Sequence, residues 1–573
     1  MRRLTPDPDH PVSRGYACAK GTRFHRFAAG PDRLLSPRID GRPVSWSEAL
    51  ALARGARDAV YSGNAVANDL GAILGIERFL RATGAGHYSC LTLDNAPQFA
   101  VAQMVFGTPI VPFLADFEGA DLVVLAGTDP IASAASQQQA NPLAGAALRT
   151  AGREGRLIAI DPRRSATAAL GLHLPVRPGT DVAWLHALAA EAGALRGIPA
   201  PTWEEVAQIT GVERRQWDAL RERVAAARSP LFWSGLGVLL GPDGTLGWWL
   251  TLLNQAVRGG LGRPGGWTRP PAPWDLATIG RWLGLSGFDP THRSSTGHAS
   301  VLGTRNAASL VPDVATGKVR SLVVVGGHPW RSLPGDRAPL ANLDLVVSID
   351  IRARTLPGRR VVELPATSWL ERSDLAIASS GGTPGGYVRH AFPVVPPAGL
   401  ARDAWWILGQ LALPGLSVPS PLPLLRAALR PFTRGERHGL RPRRSADHPV
   451  PPAALEPPLL CEALGRWQAP NAGPALVTSI RPIGRMTHWI GGNEAVVRVH
   501  PSRLPPGGAL RLRSGDVVRE VRVVGDATLA PDAVAWPFGG DPDPNPLVGA
   551  GDLERFTGQP RSNGAPVKIE PTG

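Results

Sequence analysis

The chain has 573 residues, which is enough for three or four separately packed structural units. Its formal net charge of +14 comes almost entirely from arginines scattered among alanine, glycine and proline, a distribution that does not indicate a nucleic-acid groove. Only three cysteines and no long apolar run occur. This argues against a disulfide framework, a zinc cluster, a secretory signal and a membrane span, so we expect a cytoplasmic protein.

The first 120 residues divide into two stretches. Residues 1–45 are rich in turn-forming residues, whereas helical and short strand-like patterns alternate over residues 46–120. Ser45 or Ser47 is placed to cap a helix predicted over Glu48–Val60, because a serine hydroxyl accepts a hydrogen bond from a backbone N–H of the first turn.

One pattern of strand, glycine loop, helix-length spacer, strand and aspartate occurs twice in the chain. The first copy runs from Asp121 to Pro130 and continues from Leu157 to Arg163. The second copy runs from Leu322 to Pro329 and continues from Leu345 to Arg352. Apolar, β-branched runs of this length are typical of buried parallel strands, so each copy predicts a strand–helix–strand unit.

Such a unit is typical of a nucleotide-binding half-site. Backbone N–H groups of the glycine loop bind phosphate, and an acid after the next strand accepts hydrogen bonds from ribose or base. Neither loop contains a complete dinucleotide-binding or P-loop motif, so the repetition carries the prediction. Two halves indicate two nucleotide-like ligands, or one ligand held by both.

The rest of the chain changes character three times. A Gly-, Pro- and Trp-rich segment at 259–300 separates the two halves, and the apolar run 246–256 predicts a buried helix. Residues 412–470 are dense in proline and predict an interdomain connection, whose arginines at 426–444 indicate a solvated linker or a docking patch for an acidic partner. Short strand-like runs then predict a small β-barrel: 475–479, 495–500, 510–513, 517–524 and 533–536.

Several short pieces, in a fixed order over most of the chain, together resemble one known family. They are Asp7–Gly21, Pro31–Leu34, Val44–Ala49, Tyr61–Asn64, Gly127–Pro130, Ile160–Arg163, Arg177–Asp181, Gly327–Pro329, Leu364–Glu371, Ile480–Thr487 and Asn563–Val567. On these pieces the chain resembles the molybdopterin oxidoreductases of the dimethyl sulfoxide reductase and formate dehydrogenase type.

The resemblance implies an α/β, multidomain fold with two pseudo-symmetric nucleotide-binding α/β domains and a C-terminal β-barrel domain. Residues 1–45 would be a remnant of an N-terminal cluster domain. Residues 46–120 and 318–411 would form one discontinuous α/β domain, and 121–317 a Rossmann-like α/β domain. Residues 412–470 would be a Pro/Arg-rich linker, and 471–573 the molybdopterin dinucleotide-binding β-barrel.

The same resemblance implies a cofactor and an activity. Two molybdopterin guanine dinucleotides would hold one molybdenum or tungsten ion, which would carry out two-electron redox chemistry on a small-molecule substrate. The reaction would be of the formate dehydrogenase or the oxyanion and oxide reductase kind, and a redox partner protein would exchange the electrons. The alternative is a non-catalytic relative that keeps the fold as a structural subunit of an electron-transfer complex.

The implied cofactor contacts include one group for each nucleotide. The Gly127 loop, Asp161, Arg163 and Asp181 would hold one nucleotide, and the Gly327 loop, Asp350 and the segment Leu364–Glu371 the other. In full, the expected cofactor-binding residues are Lys20, Gly63, Asn64, Gly127, Thr128, Asp129, Pro130, Asp161, Pro162, Arg163, Gly179, Asp181, Gly235, Gly237, Gly327, His328, Pro329, Asp350, Thr367, Glu371, Arg485, Thr487 and Asn563. His298, His328 and His488 are candidates for proton transfer.

The chain departs from the family pattern at the iron–sulfur cluster. In many relatives three cysteines precede the stretch that matches Asp7–Gly21, and Cys18 would be the fourth ligand. The sequence leaves no room for those three before Asp7, and one thiolate cannot hold four irons. We therefore expect no [4Fe–4S] cluster in this chain and a structural thiol at Cys18, unless the true start lies upstream.

The second departure concerns the protein ligand of the metal. Relatives supply it from a loop before a helix that ends in glycine, and counting back from Gly107 places Asp94 at that position. A carboxylate is a competent ligand for a high-valent metal, so Asp94 is the expected metal ligand and catalytic residue. Two alternatives stay open: Asp94 caps the following helix, or Cys90 is the ligand.

Overall fold

The structure is a computed structural model that describes residues 3–133, 142–272, 274–282, 285–376, 387–415, 420–436, 439–444, 447–479, 496–538, 542–549 and 553–571. The described α-helices are Ala19–Ala28, Trp46–Ala53, Leu70–Thr83, Ala96–Phe106, Pro130–Ser133, Ala144–Arg153, Asp181–Glu191, Trp203–Thr210, Arg214–Ala226, Leu236–Leu239, Gly244–Val257, Leu276–Trp282, Leu310–Ala315, Pro329–Ser332, Ala404–Ala412, Leu422–Leu429 and Pro458–Gly465. None of them combines the length and apolar character that a membrane crossing requires.

The described strands are β1 Arg38–Ile39, β2 Arg42–Pro43, β3 Ala59–Ser62, β4 Gly86–Ser89, β5 Leu114–Ala115, β6 Leu122–Ala126, β7 Leu157–Ile160, β8 Leu172–Leu174, β9 Pro230–Ser234, β10 Trp267–Thr268, β11 Asp289–Arg293, β12 Ala299–Ser300, β13 Ser321–Val325, β14 Leu345–Asp350, β15 Val361–Pro365, β16 Asp374–Leu375, β17 Val388–Ala391, β18 Thr433–Glu436, β19 Gly439–Pro442, β20 Ala475–Val477, β21 Val497–Val499, β22 Ala509–Ser514, β23 Val517–Gly525, β24 Ala533–Ala535 and β25 Lys568–Pro571.

Two mainly parallel sheets contain both copies of the repeated pattern. The first copy forms the centre of a four-stranded parallel sheet in the order β8-β7-β6-β9. The second copy forms the centre of a seven-stranded sheet in the order β2-β1-β15-β14-β13-β3-β4. The β1–β2 and β1–β15 pairs of this sheet are antiparallel, and its other pairs are parallel. Strands β6, β7, β13 and β14 are buried along their whole length, because helices cover both faces of a parallel sheet.

Two helix predictions have different outcomes. The predicted helix at 246–256 is confirmed as Gly244–Val257, which is buried along almost its whole length in the core beside the four-stranded sheet. The helix predicted over Glu48–Val60 was placed too far along the chain. It spans Trp46–Ala53, the Ser45 hydroxyl accepts a hydrogen bond from the Glu48 N–H at 3.2 Å, and Val60 belongs to β3 instead.

The proline-dense segment 412–470 is more structured than its composition suggested. It contains the helices Leu422–Leu429 and Pro458–Gly465, both with proline in the first turn, where the missing N–H costs no helical hydrogen bond. Leu460 and Leu464 of the second helix are buried in the core of the four-stranded sheet. Apolar residues at helical spacing between the prolines account for this order.

The C-terminal strands form a six-stranded mixed sheet in the order β20-β24-β21-β23-β22-β25. Each of the five runs predicted from sequence overlaps one of its strands, from β20 to β24. Its inward side chains form a separate hydrophobic core around Trp536 and Val499. Closure of this sheet into a barrel stays a prediction.

Candidate cofactor site

In the first half of the repeated pattern, the Gly127 loop packs directly against the Gly235–Gly237 loop, at the carboxyl ends of β6 and β9. The Gly237 N–H donates to the Gly127 carbonyl at 2.8 Å, and Gly127 has a positive φ of 55°. A Cβ on Gly127 would lie 2.7 Å from Gly237 Cα, and one on Gly235 would lie 2.5 Å from Thr128 Cβ. The two backbones therefore approach closely only because side chains are missing.

In the second half of the repeated pattern, the Gly326–Gly327 loop packs in the same way against the Gly63 loop, at the carboxyl ends of β13 and β3. Gly326 has a positive φ of 56°, and a Cβ on Gly63 would overlap its carbonyl group. A Cβ on Gly327 would lie 2.9 Å from Tyr61 Cε1 and 3.0 Å from Gly63 Cα. Asn64 follows on the exposed start of a 3-10 helix.

Strand register makes the two sites equivalent residue by residue. Ala126 of β6 pairs with Ile160 and with Ser234, whereas Val325 of β13 pairs with Ile349 and with Ser62. The residues that follow these pairs are therefore equivalent: Gly127 with Gly326, Asp161 with Asp350, and Gly235 with Gly63.

A further acid follows the next strand of each sheet at the same spacing along the chain. Leu174 of β8 pairs with Ile160, and Leu364 of β15 pairs with Ile349. Counting seven residues onward from each leucine reaches Asp181 in the first half and Glu371 in the second. Carboxyl ends of parallel strands are where ligands bind in such sheets, so both halves place two acids there.

Asp161 is the most strongly perturbed acid of the first half. Its Oδ1 accepts a hydrogen bond from the Arg163 N–H at 2.9 Å. Burial raises the pKa of Asp161 to about 7, against the opposing effects of that hydrogen bond and the Arg163 charge. Pro162 follows, and its carbonyl accepts from the Ala530 N–H of the C-terminal segment at 2.6 Å.

Asp129 stabilises the Gly127 loop through hydrogen bonds to other parts of the protein. Its Oδ1 accepts hydrogen bonds from the Thr167 hydroxyl at 2.6 Å and from the Thr167 N–H at 3.1 Å. Its Oδ2 lies 3.5 Å from Arg163 Nη2. Pro130 begins the short helix Pro130–Ser133 and is buried. These contacts hold the glycine loop against the segment after β7.

Asp181 begins the helix Asp181–Glu191 beside a glycine contact with the C-terminal sheet. Burial raises the pKa of Asp181 to about 6. Gly179 has a positive φ of 83°, and a Cβ there would lie 3.3 Å from Gly564 Cα. The C-terminal segment therefore closes one side of the first half-site.

Asn563 links the C-terminal segment to the Gly235–Gly237 loop. Its Nδ2 donates to the Leu236 carbonyl at 3.1 Å, and its Oδ1 accepts from the Thr478 N–H at 2.8 Å. Its own backbone N–H donates to the Leu240 carbonyl. The side chain predicted as a cofactor contact thus bridges two parts of the protein.

The acids of the second half are paired with arginines. Asp350 Oδ2 accepts from Arg354 Nε at 3.0 Å, and Glu371 Oε2 accepts from Arg33 Nη2 at 2.6 Å. Thr367, predicted as a cofactor contact, donates to Asp403 Oδ1 at 2.6 Å. Sequence reasoning missed both arginines, although Arg33 lies inside a family-matching piece and Arg354 stands four residues after Asp350.

His328 and Pro329 lie where the Gly327 loop enters the short helix Pro329–Ser332. His328 is its N-cap residue, its carbonyl accepts from the Ser332 hydroxyl at 3.1 Å, and Pro329 is buried. The Tyr61 hydroxyl lies 2.7 Å from that of Ser332, which ties the loop to β3.

Asp94 lies between the 3-10 helix Cys90–Leu93 and the helix Ala96–Phe106. Asn95, not Asp94, occupies the N-cap position of the latter, and Gly107 ends it with a positive φ of 65°. Burial and the negative charge of Asp94 raise the pKa of Cys90. The same two influences, with Cys90, raise that of Tyr61. The Asp94 charge therefore acts on Tyr61, whose ring lies against the Gly327 loop.

The remaining predicted residues lie apart from these loops or outside the described residues. Cys18 is half-buried at the N-cap position of the helix Ala19–Ala28. His298 packs against Gly558, and burial lowers its pKa. The Lys20 side chain, Arg485, Thr487 and His488 lie outside what the structure describes.

Comparison with known proteins gives the family. A family model described as molybdopterin oxidoreductase matches residues 33–196 and 202–413. A nitrate reductase of Klebsiella oxytoca is 28% identical over 462 residues, which cover 71% of this chain and 51% of the relative. A nitrate reductase of Symbiobacterium thermophilum is 26% identical over 483 residues, which cover 71% of this chain and 61% of the relative. The chain thus spans less than two thirds of these relatives.

Among solved structures, acetylene hydratase from Pelobacter acetylenicus has the same fold. The TM-score is 0.75 at 16% sequence identity, and the match covers 98% of this chain and 96% of that chain. The family model covers well over half of the chain, and it spans both sheets that contain the glycine loops. The chain therefore belongs to the molybdopterin oxidoreductase family of enzymes.

Proposed function

We propose that the protein is a molybdenum or tungsten oxidoreductase that binds two pterin guanine dinucleotides and performs two-electron redox chemistry on a small substrate. One observation carries the proposal: two glycine loops, each followed by two acids, lie at register-equivalent positions at the carboxyl ends of two parallel sheets. Family membership implies a pterin cofactor with molybdenum or tungsten. The guanine dinucleotide form is our inference from the doubled half-site.

The described residues fit such a ligand in shape and in charge. The Gly127, Gly235, Gly63 and Gly327 loops bring bare backbone together at the strand ends. Because the N–H groups of Gly127, Gly235 and Gly63 donate to protein carbonyls, a phosphate would bind N–H groups of the residues that follow these glycines. Asp161 and the other acids at the strand ends are acceptors for the N–H donors of a guanine edge. The bound group supplies the redox chemistry, and these residues bind and orient it.

We assign the metal-facing role among this chain's own residues to Asp94. Its negative charge contributes to raising the pKa of Tyr61, and the Tyr61 ring lies against the Gly327 loop. The Thr92 hydroxyl, two residues before it, accepts a hydrogen bond from the Ala307 N–H at 2.9 Å, which fixes the loop against the 3-10 helix Ala307–Ser309. A carboxylate held in this way is suited to ligate a hard, high-valent ion.

The finer organisation is proposed with the function. The two glycine-loop sheets would be the cores of pseudo-symmetric nucleotide-binding domains, built from 46–120 with 318–411 and from 121–317. Residues 471–573 would close over them as a β-barrel, to which Asn563 contributes the bridge described above. We further propose a cytoplasmic protein that acts on a small molecule and exchanges electrons with a redox partner protein.

Cofactor analysis of the purified protein tests the proposal. The protein is expressed in a host that makes molybdopterin, its metal is measured by mass spectrometry, and guanine nucleotide is released by acid denaturation. We expect one molybdenum or tungsten and two guanine nucleotides per chain. Protein from such a host with neither metal nor nucleotide would contradict the proposal and favour a non-catalytic structural subunit.

A further inference from the structure

The stretch 420–444 is strongly basic, with seven arginines and one acid, Glu436. Its composition fits a solvated linker or a docking patch, and the structure distinguishes the two. Leu422–Leu429 is a helix, and β18 and β19 pair antiparallel beside β17. Leu422 and Leu440 are buried in a small core with apolar side chains of the same sheet. A solvated linker has no such core, so these arginines belong to a folded surface.

Four arginines of this surface are exposed and carry their charge without a protein acid. They are Arg426, Arg430, Arg443 and Arg444, and none of them forms an ion pair within the described part of the chain. Arg426 and Arg430 stand one helical turn apart, a spacing at which like charges repel. The helix dipole offsets this repulsion at the C-terminal end of the helix, but it does not act on Arg443 and Arg444 beyond β19. An external anion would relieve the repulsion among all four.

Apolar side chains lie among these arginines. Phe392 and Phe432 are 47% and 58% exposed, and they are the exposed phenylalanines of the described chain. The Arg426 guanidinium lies over the Phe392 ring, 5.9 Å from its centroid. The Phe432 carbonyl accepts from the Arg443 N–H at 2.8 Å, which places Phe432 between the end of the helix and the end of β19. Exposed apolar groups rimmed by charge mark protein interaction sites, and interfaces are enriched in aromatic residues and arginine.

Charge decides which occupant this surface fits. The parts of the sequence outside the described residues contain three acids, Glu494, Asp541 and Asp552, so the chain offers no acidic run of its own. A second copy would bring the same positive surface and be repelled. A nucleic acid is disfavoured, because base stacking needs free ring faces and one face of Phe392 is covered by Arg426. An acidic protein segment that also has apolar side chains matches both kinds of group.

We propose that an acidic segment of a partner protein docks on the arginine surface formed by Phe392, Arg426, Arg430, Phe432, Arg443 and Arg444. Carboxylates of the segment pair with the four arginines, and its apolar side chains pack on the two phenylalanines. The surface is joined to the second half of the cofactor site, because β17, which ends just before Phe392, pairs with β16, which begins three residues after Glu371. Docking requires no bound cofactor, so the inference stands apart from the proposed function.

Binding of a fluorescently labelled acidic peptide to the whole chain tests the inference. The probe is a synthetic peptide in which glutamates alternate with leucine and phenylalanine, and its anisotropy is titrated at low salt and at about 0.5 M salt. We expect the parent to bind it at low salt. Arg426→Ser combined with Arg430→Ser should weaken binding about ten-fold at low salt and much less at high salt, because salt screens exposed charges. Phe432→Ser should weaken binding about five-fold at both salt concentrations, because apolar contact is not screened.

The control combines Arg215→Ser with Arg228→Ser, whose arginine side chains are 83% and 96% exposed and whose loss lowers the net charge equally. It should bind the peptide as the parent does. Equal weakening in the control, a parent that does not bind, or parent-like binding by the Arg426→Ser, Arg430→Ser protein would each overturn the inference. Tighter binding of a single-stranded oligonucleotide of the same charge, lost in the same variant, would overturn it in favour of nucleic acid. If Phe432→Ser fails to fold by thermal unfolding, Phe392→Ser replaces it with the same expected loss.

Discussion

At the scale of single residues, burial decides what the acids of the cofactor site can do. Among the residues that the structure describes, no cation forms an ion pair with Asp161 or Asp181, although the Arg163 charge acts on Asp161, whereas Asp350 and Glu371 carry arginine partners. A buried carboxyl group without a cation resists ionisation, because the charged form loses its hydration. Burial therefore raises the pKa of Asp161 and of Asp181, and this has consequences for stability.

The first prediction concerns the pH dependence of the cofactor-free protein. The pKa of Asp161 is about 7 in the folded state and 3.8 ordinarily, so the folded state retains a proton that the unfolded state has released between these values. Stability should therefore fall as pH rises through this window. Asp161→Asn should be more stable than the parent at pH 8, by about 1–3 kcal/mol, and nearly equal to it at pH 4.

Urea unfolding at both pH values measures this difference. Asp218→Asn is a suitable control, because hydrogen bonds to Arg214 lower the pKa of that exposed carboxyl and no gain at pH 8 is expected from its removal. An Asp161→Asn protein no more stable than the parent at pH 8 would contradict the assignment.

The second prediction concerns Asp94. Asn95, not Asp94, occupies the N-cap position of the following helix. Asp94→Asn should therefore leave the free energy of unfolding within about 0.5 kcal/mol of that of the parent. If the carboxylate serves the metal, the same change should lower the metal content or shift the redox potential of the purified protein. Cys90→Ser is the matched comparison, since the thiol lies on the same loop. Unchanged metal and potential in Asp94→Asn, with a loss in Cys90→Ser, would transfer the role to Cys90.

At the scale of elements, the glycine loops depend on close backbone approach rather than on flexibility. Gly235 meets Thr128, and Gly127 meets Gly237, at distances that leave no space for a methyl group. The loops come from strands that are neighbours in the sheet but about a hundred residues apart in the chain. Close contact between the Gly127 and Gly235–Gly237 loops keeps the backbone of both loops at the same edge of the sheet.

The third prediction follows from this contact. Gly235→Ala would place a Cβ 2.5 Å from Thr128 Cβ and 2.7 Å from the Gly127 carbonyl oxygen. Overpacking of this kind costs about 1–3 kcal/mol, and the displaced loop should bind nucleotide less well. Gly465→Ala is the control, because nothing lies within 4 Å of a Cβ there. The free energy of unfolding in guanidinium and the nucleotide content should both fall in Gly235→Ala only. An equal fall in both variants, or in neither, would contradict the packing argument.

At the scale of the whole molecule, the C-terminal sheet joins both halves of the site. In the first half Asn563 bridges Thr478 and Leu236. In the second half the Asn545 side chain donates to the Arg331 carbonyl at 2.6 Å, and Arg337 pairs with Asp543 at 2.7 Å. The C-terminal segment thus contacts both halves of the site.

The fourth prediction concerns this bridge. Asn563→Asp replaces an N–H donor by an acceptor against the Leu236 carbonyl, while the shape of the side chain is kept. The buried carbonyl loses its partner, which costs about 1–3 kcal/mol of unfolding free energy. Asn342→Asp, on an exposed 3-10 helix, is the control and should be nearly neutral. Thermal unfolding checks this; an Asn563→Asp protein with an unchanged melting temperature would contradict the bridging role.

The sequence by itself determined the elements whose pattern is local. Buried β-branched runs, the glycines after them and the aspartates after the next strands identified β6, β7, β13 and β14, and short alternating runs identified the C-terminal strands. Collinear motifs identified the family, which the comparisons confirmed. These features are local because strand periodicity and turn chemistry depend on neighbours along the chain.

The tertiary structure alone decided which of these residues share an environment. Gly63 meets Gly327 across more than two hundred and sixty residues of sequence, and Arg33 neutralises Glu371 across 338. Asp181 and Glu371 each follow a strand-end leucine by seven residues, and the leucines themselves are equivalent only through strand register. Whether a carboxyl group is paired or left for a ligand depends on distances between remote segments, and no local pattern encodes those distances.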